Sequence, residues 1–212
     1  MCPRVALEVN DLVGALLEAD RDAAVAIALT AARGGRVEDV YDAIQHAMDE
    51  VGRRWQSNEL TVAQEHAATA VAQHVLARVF GELPRADDGR GRAVIATVPG
   101  ERHQLGSQIV ADSLECDGWA VVYLGADVPA DALAEEAAWH EASLVGLSVT
   151  TPVNLPALRE ATGALRDRLG DALTIAIGGR AATLVEAADV AADFRAPGWR
   201  EARALARVRV AA

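Results

Sequence analysis

Residues 5–82 carry apolar side chains at helical spacing, with no alternating run that would indicate a strand. Gly34-Gly35 stands where a helix would end, and Thr61 and Gln64 have capping-box spacing where another would begin. The pattern predicts four amphipathic helices, at residues 5–18, 20–33, 37–55 and 61–80. Four antiparallel helices joined by short turns predict a small bundle.

A different pattern begins near residue 93, where short apolar runs alternate with helical segments. Five strands are expected, at residues 93–98, 119–124, 144–149, 173–177 and near 193–194. The helices expected with them span residues 107–116, 130–139, 155–169, 180–187 and 199–208. Repeated βα units of this length predict a doubly wound parallel sheet, flavodoxin-like with strand order 2-1-3-4-5. The fold class is therefore α/β, preceded by an all-α four-helix bundle.

The change of pattern falls in residues 82–92, which are rich in Pro, Gly and Asp. We therefore divide the chain into a four-helix bundle at residues 1–84, a linker at 85–92 and an α/β domain at 93–212. With 212 residues in total, both domains are large enough to bury a core.

Charge and composition argue against several classes of function. Asp and Glu total 31 against 20 Lys and Arg, giving a net charge of −11 that no basic cluster offsets. Such a surface repels phosphate groups, so we expect no direct binding to nucleic acid or to an anionic membrane. No apolar run approaches the ~20 residues that span a bilayer, and no signal peptide is evident, so a cytoplasmic protein is expected. Cys2 and Cys116 form no CxxC pair, which argues against a disulfide framework or a zinc site.

The loop after the first strand carries the main candidate chemistry. The apolar run at 94–98 is followed by Pro99-Gly100 and then by Glu101, His103 and Gly106. Ligands of open α/β sheets bind at the carboxyl ends of strands, which is where His103 is expected. Glu101 can reach one ring nitrogen while the other faces a metal, and Gly106 leaves room for a bulky ligand. The alternative is a solvated loop with an ordinary surface histidine.

Two further strand ends would meet this loop in the expected strand order. The third strand ends in Ser148-Val-Thr150, whose hydroxyls can point the same way, and the fourth ends in Gly178-Gly179, which leaves a slot for a long ligand group. Each feature alone is weak, because Ser or Thr at a strand end commonly caps a helix and paired glycines commonly form a turn. Together they mark one crevice.

The loop Glu101-Arg-His103-Gln-Leu105-Gly106 resembles the DxHxxG signature of cobalamin-binding domains, with Glu in place of Asp. In that family the histidine replaces the cofactor's own base as the lower cobalt ligand. The resemblance implies that His103 is the metal ligand, that Glu101 is its hydrogen-bond partner, and that Leu105 and Gly106 lie against the cofactor.

The two other strand ends resemble the remaining parts of that signature, SxL and GG, in order and spacing across residues 93–212. Thr150 stands in place of the Leu. The resemblance implies that residues 93–212 form a Rossmann-like cobalamin-binding domain. It also implies that Ser148, Thr150, Gly178 and Gly179 line a channel for the nucleotide tail of the cofactor.

The bundle carries a further resemblance. Trp55, followed after nine residues by Glu65-His66, is similar to the Wx9EH pattern of cobalamin photoreceptors of the CarH type, where these side chains cover the upper face of the cofactor around its adenosyl group. Small residues on the same helix would let a planar macrocycle approach: Ala63, Ala67 and Ala70. The alternative is that Trp55 fills the bundle while Glu65 and His66 are solvated.

The resemblance implies a cobalamin-binding light sensor and not an enzyme, with adenosylcobalamin as cofactor and methylcobalamin or hydroxocobalamin as alternatives. Light would break the cobalt–carbon bond and change domain arrangement or association. The MerR-like DNA-binding domain of such photoreceptors is not expected here, so signalling would pass through a homo-oligomer or a protein partner. Gln56 stands where these photoreceptors commonly have a histidine that binds cobalt after light, which leaves His66 or water for that position.

Three rival functions differ in what they require. A corrinoid methyl carrier would prefer methylcobalamin and need a methyltransferase partner. A response-regulator-like module would bind no corrinoid and would need a phospho-acceptor Asp at a strand end, where this chain has Ser148 and Thr150. A cobalamin-dependent mutase subunit is disfavoured, because it relies on a separate barrel and has no need of a Trp-Glu-His lid.

Overall fold

The computed structural model describes residues 9–33, 37–86 and 89–209. The chain divides into two compact units, Met1–Pro84 and Arg85–Ala212. Residues 5–8 of the first expected helix, and Gly34-Gly35 after the second, lie outside the described residues. None of the described helices is long and apolar enough to cross a lipid bilayer.

The described part of the first unit consists of four helices that pack against one another. They span Val9–Leu17 (α1), Arg21–Arg33 (α2), Val37–Gln56 (α3) and Val62–Phe80 (α4). Their apolar stripes meet in a core of large, fully buried side chains: Leu12, Leu16, Tyr41, Ile44 and Leu76. The expected four-helix bundle is confirmed.

A tightly bonded turn joins α3 to α4. The carbonyl of Trp55 accepts the N–H of Asn58 at 3.0 Å, and Asn58 has a φ of +60°, which Asn tolerates better than most residues. α4 then begins with the expected capping box, in which Thr61 Oγ1 accepts the N–H of Gln64 at 3.3 Å and Gln64 Oε1 accepts the N–H of Thr61 at 2.9 Å. Trp55 therefore lies in the last turn of α3, and Glu65 lies in the first turn of α4.

The second unit is a five-stranded parallel sheet with helices on both faces. The strands are Arg92–Thr97 (β1), Ala120–Gly125 (β2), Leu144–Ser148 (β3), Thr174–Gly178 (β4) and Phe194–Ala196 (β5). The helices are Leu105–Cys116 (α5), Ala130–Trp139 (α6), Leu155–Leu169 (α7) and Trp199–Arg209 (α8). The order β2-β1-β3-β4-β5 confirms the expected topology, with its reversal between β1 and β3.

Alternate residues of each strand face opposite helical layers. Val94, Val145 and Ile175 belong to the core that contains residues of α6 and α7. Ile95 and Leu144 belong to the core that contains residues of α5 and α8. Both faces are covered, as a parallel sheet requires.

One expected element is wrong. The sequence predicts a helix at residues 180–187, but these residues hold a short 3₁₀ segment, Arg180–Leu184, and a second one follows at Ala188–Val190. The N–H of Ala181 donates to the carbonyl of Val149 just past β3, at 3.1 Å, which pins the start of the segment to the sheet. The chain must then turn back at once to form β5, so tertiary contacts override the local helical pattern.

Asp112 lies on α5, the helix that follows the His103 loop, and its Oδ2 is removed from water. Within the described residues, Oδ2 of Asp112 has no hydrogen-bond partner. Burial raises the pKa of Asp112 to about 7, with a further rise from Glu115 and an opposing effect of Arg85. The ionised form of Asp112 therefore costs folding free energy at neutral pH.

Asp112→Asn should remove this pH-dependent cost. Because the pKa is higher in the folded chain than its ordinary value of 3.8, the folded state holds the proton more tightly, and stability falls as pH rises from about 4 to about 7. We expect the free energy of unfolding of the wild type, relative to Asp112→Asn, to fall by roughly 2–4 kcal/mol over that range in urea titrations. The exposed Asp167→Asn should follow the wild type throughout. A wild-type minus Asp112→Asn difference that is independent of pH would contradict the assignment.

Candidate functional site

The carboxyl ends of β1, β3 and β4 form one continuous edge. The strand register places Thr97, Ser148 and Gly178 side by side. Just beyond the strands, the N–H of Val98 donates to the carbonyl of Ser148 at 3.2 Å, and the N–H of Val149 donates to the carbonyl of Gly178 at 2.9 Å. The structure therefore brings the β1 loop, the Ser-Val-Thr segment and the paired glycines together at the point where strand order reverses.

A buried carboxylate holds the imidazole of His103. Glu101 is only 1% exposed, and its Oε1 accepts from His103 Nδ1 at 2.5 Å and from the backbone N–H of His103 at 3.1 Å. The imidazole itself is 65% exposed, and nothing among the described residues bonds to its Nε2. With the proton on Nδ1, as the carboxylate partner requires, Nε2 presents a lone pair suited to a metal.

The second oxygen of Glu101 reaches a different loop. Oε2 accepts the backbone N–H groups of Thr150 and Thr151, each at 2.8 Å, and Asn154 Nδ2 at 3.2 Å. The longer Glu side chain thus joins the His103 loop to the turn between β3 and α7. Burial alone would raise the pKa of Glu101, but the bonds from His103, Thr151 and Thr150 outweigh it and bring that pKa to about 2. The carboxylate is therefore ionised at neutral pH.

Small residues leave one face of the central strands partly open. Gly146 and Ser148 of β3, and Ala176 and Gly178 of β4, are only half-buried, although central strands of a doubly wound sheet are normally buried on both faces. They lie on the sheet face shared with α5 and α8, because they alternate with residues of the α6–α7 core. This strip of small side chains ends beside the His103 loop, since Ser148 pairs with Thr97 at the end of β1.

Gly179 and Gly106 differ in whether the fold requires a glycine at their positions. Gly179 has a φ of +88°, and a Cβ there would lie 2.4 Å from the carbonyl oxygen of Val149, so the fold itself requires this glycine. Gly106, in the first turn of α5, would meet no atom within 4 Å if it carried a Cβ. The fold does not need Gly106 to be glycine, and the space beside it is free. Leu105 at the start of α5 is half-buried next to that space.

The predicted bundle residues occupy the α3–α4 end of the first unit. Trp55 is 42% exposed, so the alternative in which it fills the bundle core is wrong. Glu65 is half-buried and accepts from Thr69 Oγ1 at 2.8 Å, while His66 is exposed with Nε2 3.6 Å from Glu65 Oε2. The small residues on the same helix are all exposed: Ala63, Ala67 and Ala70.

Sequence reasoning missed several residues that support the loop. Asn154 donates to Glu101, and Tyr123 of β2 donates to the carbonyl of Gln104 at 3.1 Å. Burial raises the pKa of Tyr123, so its hydroxyl keeps its proton as a donor. The turn-forming residues of the Gly125-Ala-Asp127-Val-Pro segment indicate a loop after β2, at the same edge of the sheet as the His103 loop.

The donor set fits a metal that brings most of its own ligands. Among the described residues, no group of three or more His, Cys, Asp or Glu side chains could hold a bare ion. His103 would supply one nitrogen ligand, and a macrocycle would supply the other ligands of its own metal. Exposed Nε2 and the free space at Gly106 both suit a large planar group.

Comparison with known proteins identifies the family. A family model described as a B12 binding domain matches residues 91–206, and a second model with the same description matches residues 8–79. The chain therefore belongs to the B12-binding family, and cobalamin is the cofactor class that its domains indicate.

Relatives within this family differ in kind. The chain is 35% identical over 162 residues to the HTH-type transcriptional repressor CarH of Myxococcus xanthus, a match that covers 69% of this chain and 53% of that protein. It is 29% identical over 203 residues to dimethylamine corrinoid protein 1 of Methanosarcina acetivorans, covering 93% and 95%. The solved structure of the Methanosarcina barkeri monomethylamine corrinoid protein shares the fold, with a TM-score of 0.82, 22% identity, and coverage of 95% and 98%. The chain thus spans about half the length of CarH.

Glu101→Gln should destabilise the cofactor-free protein. All groups that bond the Glu101 carboxylate are donors, so the NH₂ of a Gln side chain would face donors and could not accept from them. The neutral amide would also lose the charge that strengthens the remaining bonds. We expect the free energy of unfolding at pH 7 to fall by about 2–4 kcal/mol in urea titrations. The exposed Glu135→Gln on α6 is the control and should change it by less than about 0.5 kcal/mol. Equal midpoints for the two variants would show that Glu101 does not join the loops.

Proposed function

We propose that this chain is a cobalamin-binding light-sensing module, in which His103 binds cobalt from below and the helical bundle covers the upper, adenosyl ligand. The observation that carries the proposal is an exposed imidazole whose Nδ1 is fixed by a buried, ionised carboxylate at the topological switch point of the sheet. Adenosylcobalamin would supply a cobalt–carbon bond that visible light can break. The residues of the chain bind, orient and enclose the cofactor.

The lower half of the proposed site uses the carboxyl edge of the sheet. Glu101 holds the His103 ring by Nδ1, which leaves Nε2 as the cobalt ligand. Leu105 and the open space at Gly106 would lie against the corrin ring. If His103 took the place of the cofactor's own base, the nucleotide tail would need a channel of its own.

The strip of small residues supports that channel. Ser148, Thr150, Gly178 and Gly179 would line it, with Ser148 and Gly178 half-buried at the ends of adjacent strands. A Cβ on Gly178 would lie 3.1 Å from the carbonyl of Ala196, so a larger residue would crowd the strip. The hydroxyls of Ser148 and Thr150 would supply hydrogen bonds to the tail.

Exposed apolar side chains of the bundle support a role in covering the upper ligand. The indole of Trp55, which is 42% exposed, and three exposed alanines of α4 are apolar surfaces that suit a large planar ligand. Trp55, Glu65 and His66 would cover the upper ligand, and loss of the adenosyl group would change how the bundle is held. The signal would then pass to a second copy of the chain or to a protein partner.

A corrinoid methyl carrier that serves a methyltransferase is the second candidate. It is favoured by the match to the dimethylamine corrinoid protein, which extends over 95% of that protein, whereas the CarH match covers 53% of CarH. The same lower half would serve either function. The two therefore differ in the preferred upper ligand and in the response to light.

Illumination should change the state of the protein when adenosylcobalamin is bound. Free alkylcobalamins also lose their alkyl group in light, so the readout is the elution volume and light scattering of the protein before and after illumination. We expect a shift with adenosylcobalamin, tighter binding of adenosylcobalamin than of methylcobalamin in the dark, and loss of that preference in Trp55→Ala. Trp139→Ala, which removes an indole that is 82% exposed on α6, is the control and should behave as the wild type.

An elution profile that light does not alter, together with preference for methylcobalamin, would reject the sensor and favour the methyl carrier. Failure of the wild type to retain any corrinoid through gel filtration would reject both.

Gly106→Leu should separate binding from folding. Nothing lies within 4 Å of a Cβ at this position, and Leu is a better helix former than Gly, so the melting temperature should be unchanged or slightly higher. If the corrin ring lies against α5, the added side chain should weaken hydroxocobalamin binding by at least about tenfold, about 1.4 kcal/mol. Gly163→Leu on α7, where a Cβ also meets nothing within 4 Å, is the matched control and should bind as the wild type. Equal affinity of the two variants would remove Gly106 from the site.

A further inference from the structure

A buried hydroxyl lies directly beneath the His103 loop. Thr97, the last residue of β1, is fully buried. Its Oγ1 donates to the carbonyl of Glu101 at 2.5 Å and accepts the N–H of Asp127 at 2.9 Å. One side chain therefore joins the loop that carries His103 to the turn that follows β2.

Asp127 completes this connection from the other side. Its N–H also donates to the carbonyl of Glu101, at 3.1 Å, and its Oδ1 accepts the N–H of Gly100 at 2.6 Å. Asp127 has a φ of +56°, a conformation that non-glycine residues adopt uncommonly and at some cost in free energy. Two of its polar groups thus bind the same short loop from a strained backbone position.

The loop is consequently held at two different places. Thr97 and Asp127 fix the main chain of Glu101 and Gly100 from the β2 side, while Thr150, Thr151 and Asn154 bind the carboxylate of Glu101 from the β3 side. The bonds of Thr97 and Asp127 fix the main chain, and so they determine the direction in which the Glu101 side chain leaves it. The orientation of the His103 ring depends on that side chain.

We propose that Thr97 and Asp127 are positioning residues, which hold the backbone of Glu101 so that His103 presents Nε2 to the cobalt of the cofactor. This inference rests on the proposed role of His103 as the lower ligand. It goes beyond that role, because each residue acts on His103 through the main chain of Gly100 and Glu101, to which it is hydrogen-bonded.

The test uses cobinamide, a corrinoid that lacks the nucleotide tail, so that its binding depends on the histidine more than that of cobalamin does. The full chain is titrated with cob(II)inamide at fixed pH, and the nitrogen hyperfine splitting in the electron paramagnetic resonance spectrum reports the share of cobalt that is bound by an imidazole. Thr97→Val removes the hydroxyl and keeps the side-chain volume, whereas Thr97→Ser keeps the hydroxyl. Asp127→Ala removes the acceptor of Gly100, and Asp127→Asn retains Oδ1.

Thr97→Val and Asp127→Ala should each weaken cobinamide binding by about three- to tenfold and reduce the nitrogen-split signal, as expected for the loss of buried or strained hydrogen bonds. Thr97→Ser and Asp127→Asn should remain close to the wild type. In a His103→Ala background, Thr97→Val should cause no further loss of affinity, because the hydroxyl acts only through the imidazole.

The outcomes separate the two proposals. A wild type without nitrogen splitting would overturn the role of His103, and with it this inference. Splitting in the wild type with unchanged affinity and signal in Thr97→Val and Asp127→Ala would overturn the positioning role alone. An equal loss of affinity in the wild-type and His103→Ala backgrounds would also overturn it, because it would mark a general effect on the fold. Asp127 is exposed, so its two variants keep the test valid if Thr97→Val does not fold.

Discussion

The site depends on the hydrogen bonds that the ionised, buried carboxylate of Glu101 accepts. A charge that is 99% removed from water is stable only if its lone pairs are used, and here five donors use them. Those donors come from two loops at the ends of β1 and β3. The carboxylate therefore remains charged only while both loops keep their places, and the direction of the His103 ring is a consequence of the sheet topology.

The architecture itself could be predicted from the sequence, because it depends on patterns that are local. Apolar runs separated by amphipathic segments gave the observed bounds of α6 and α7, and short connections between parallel strands allow few topologies. The segment at 180–187 shows the limit of this reasoning. Its composition favours a helix, but the close approach of Gly179 to Val149 and the short path to β5 leave room only for 3₁₀ turns.

The candidate site could be predicted in part. Glu101 and His103 lie two residues apart, so their contact is legible in a short motif. The residues that hold this pair in place could not be predicted from a motif, because the bonded partners are far apart in sequence. Thr97 and Asp127 are 30 residues apart, and Glu101 and Asn154 are 53 apart. Several of the bonds also use backbone N–H groups, such as those of Thr150 and Thr151, which any residue except proline supplies and which therefore leave no mark on the sequence.

Features that the fold does not need are the best guide to what the protein binds. Gly179 is explained by backbone geometry and says nothing about a ligand, whereas Gly106 and the partly exposed Trp55 have no such explanation. The sheet domain would offer the same imidazole and the same channel to a light sensor and to a methyl carrier. The choice between them therefore depends on the bundle, because Trp55 and the exposed alanines of α4 would face the upper ligand, which is where the two functions differ.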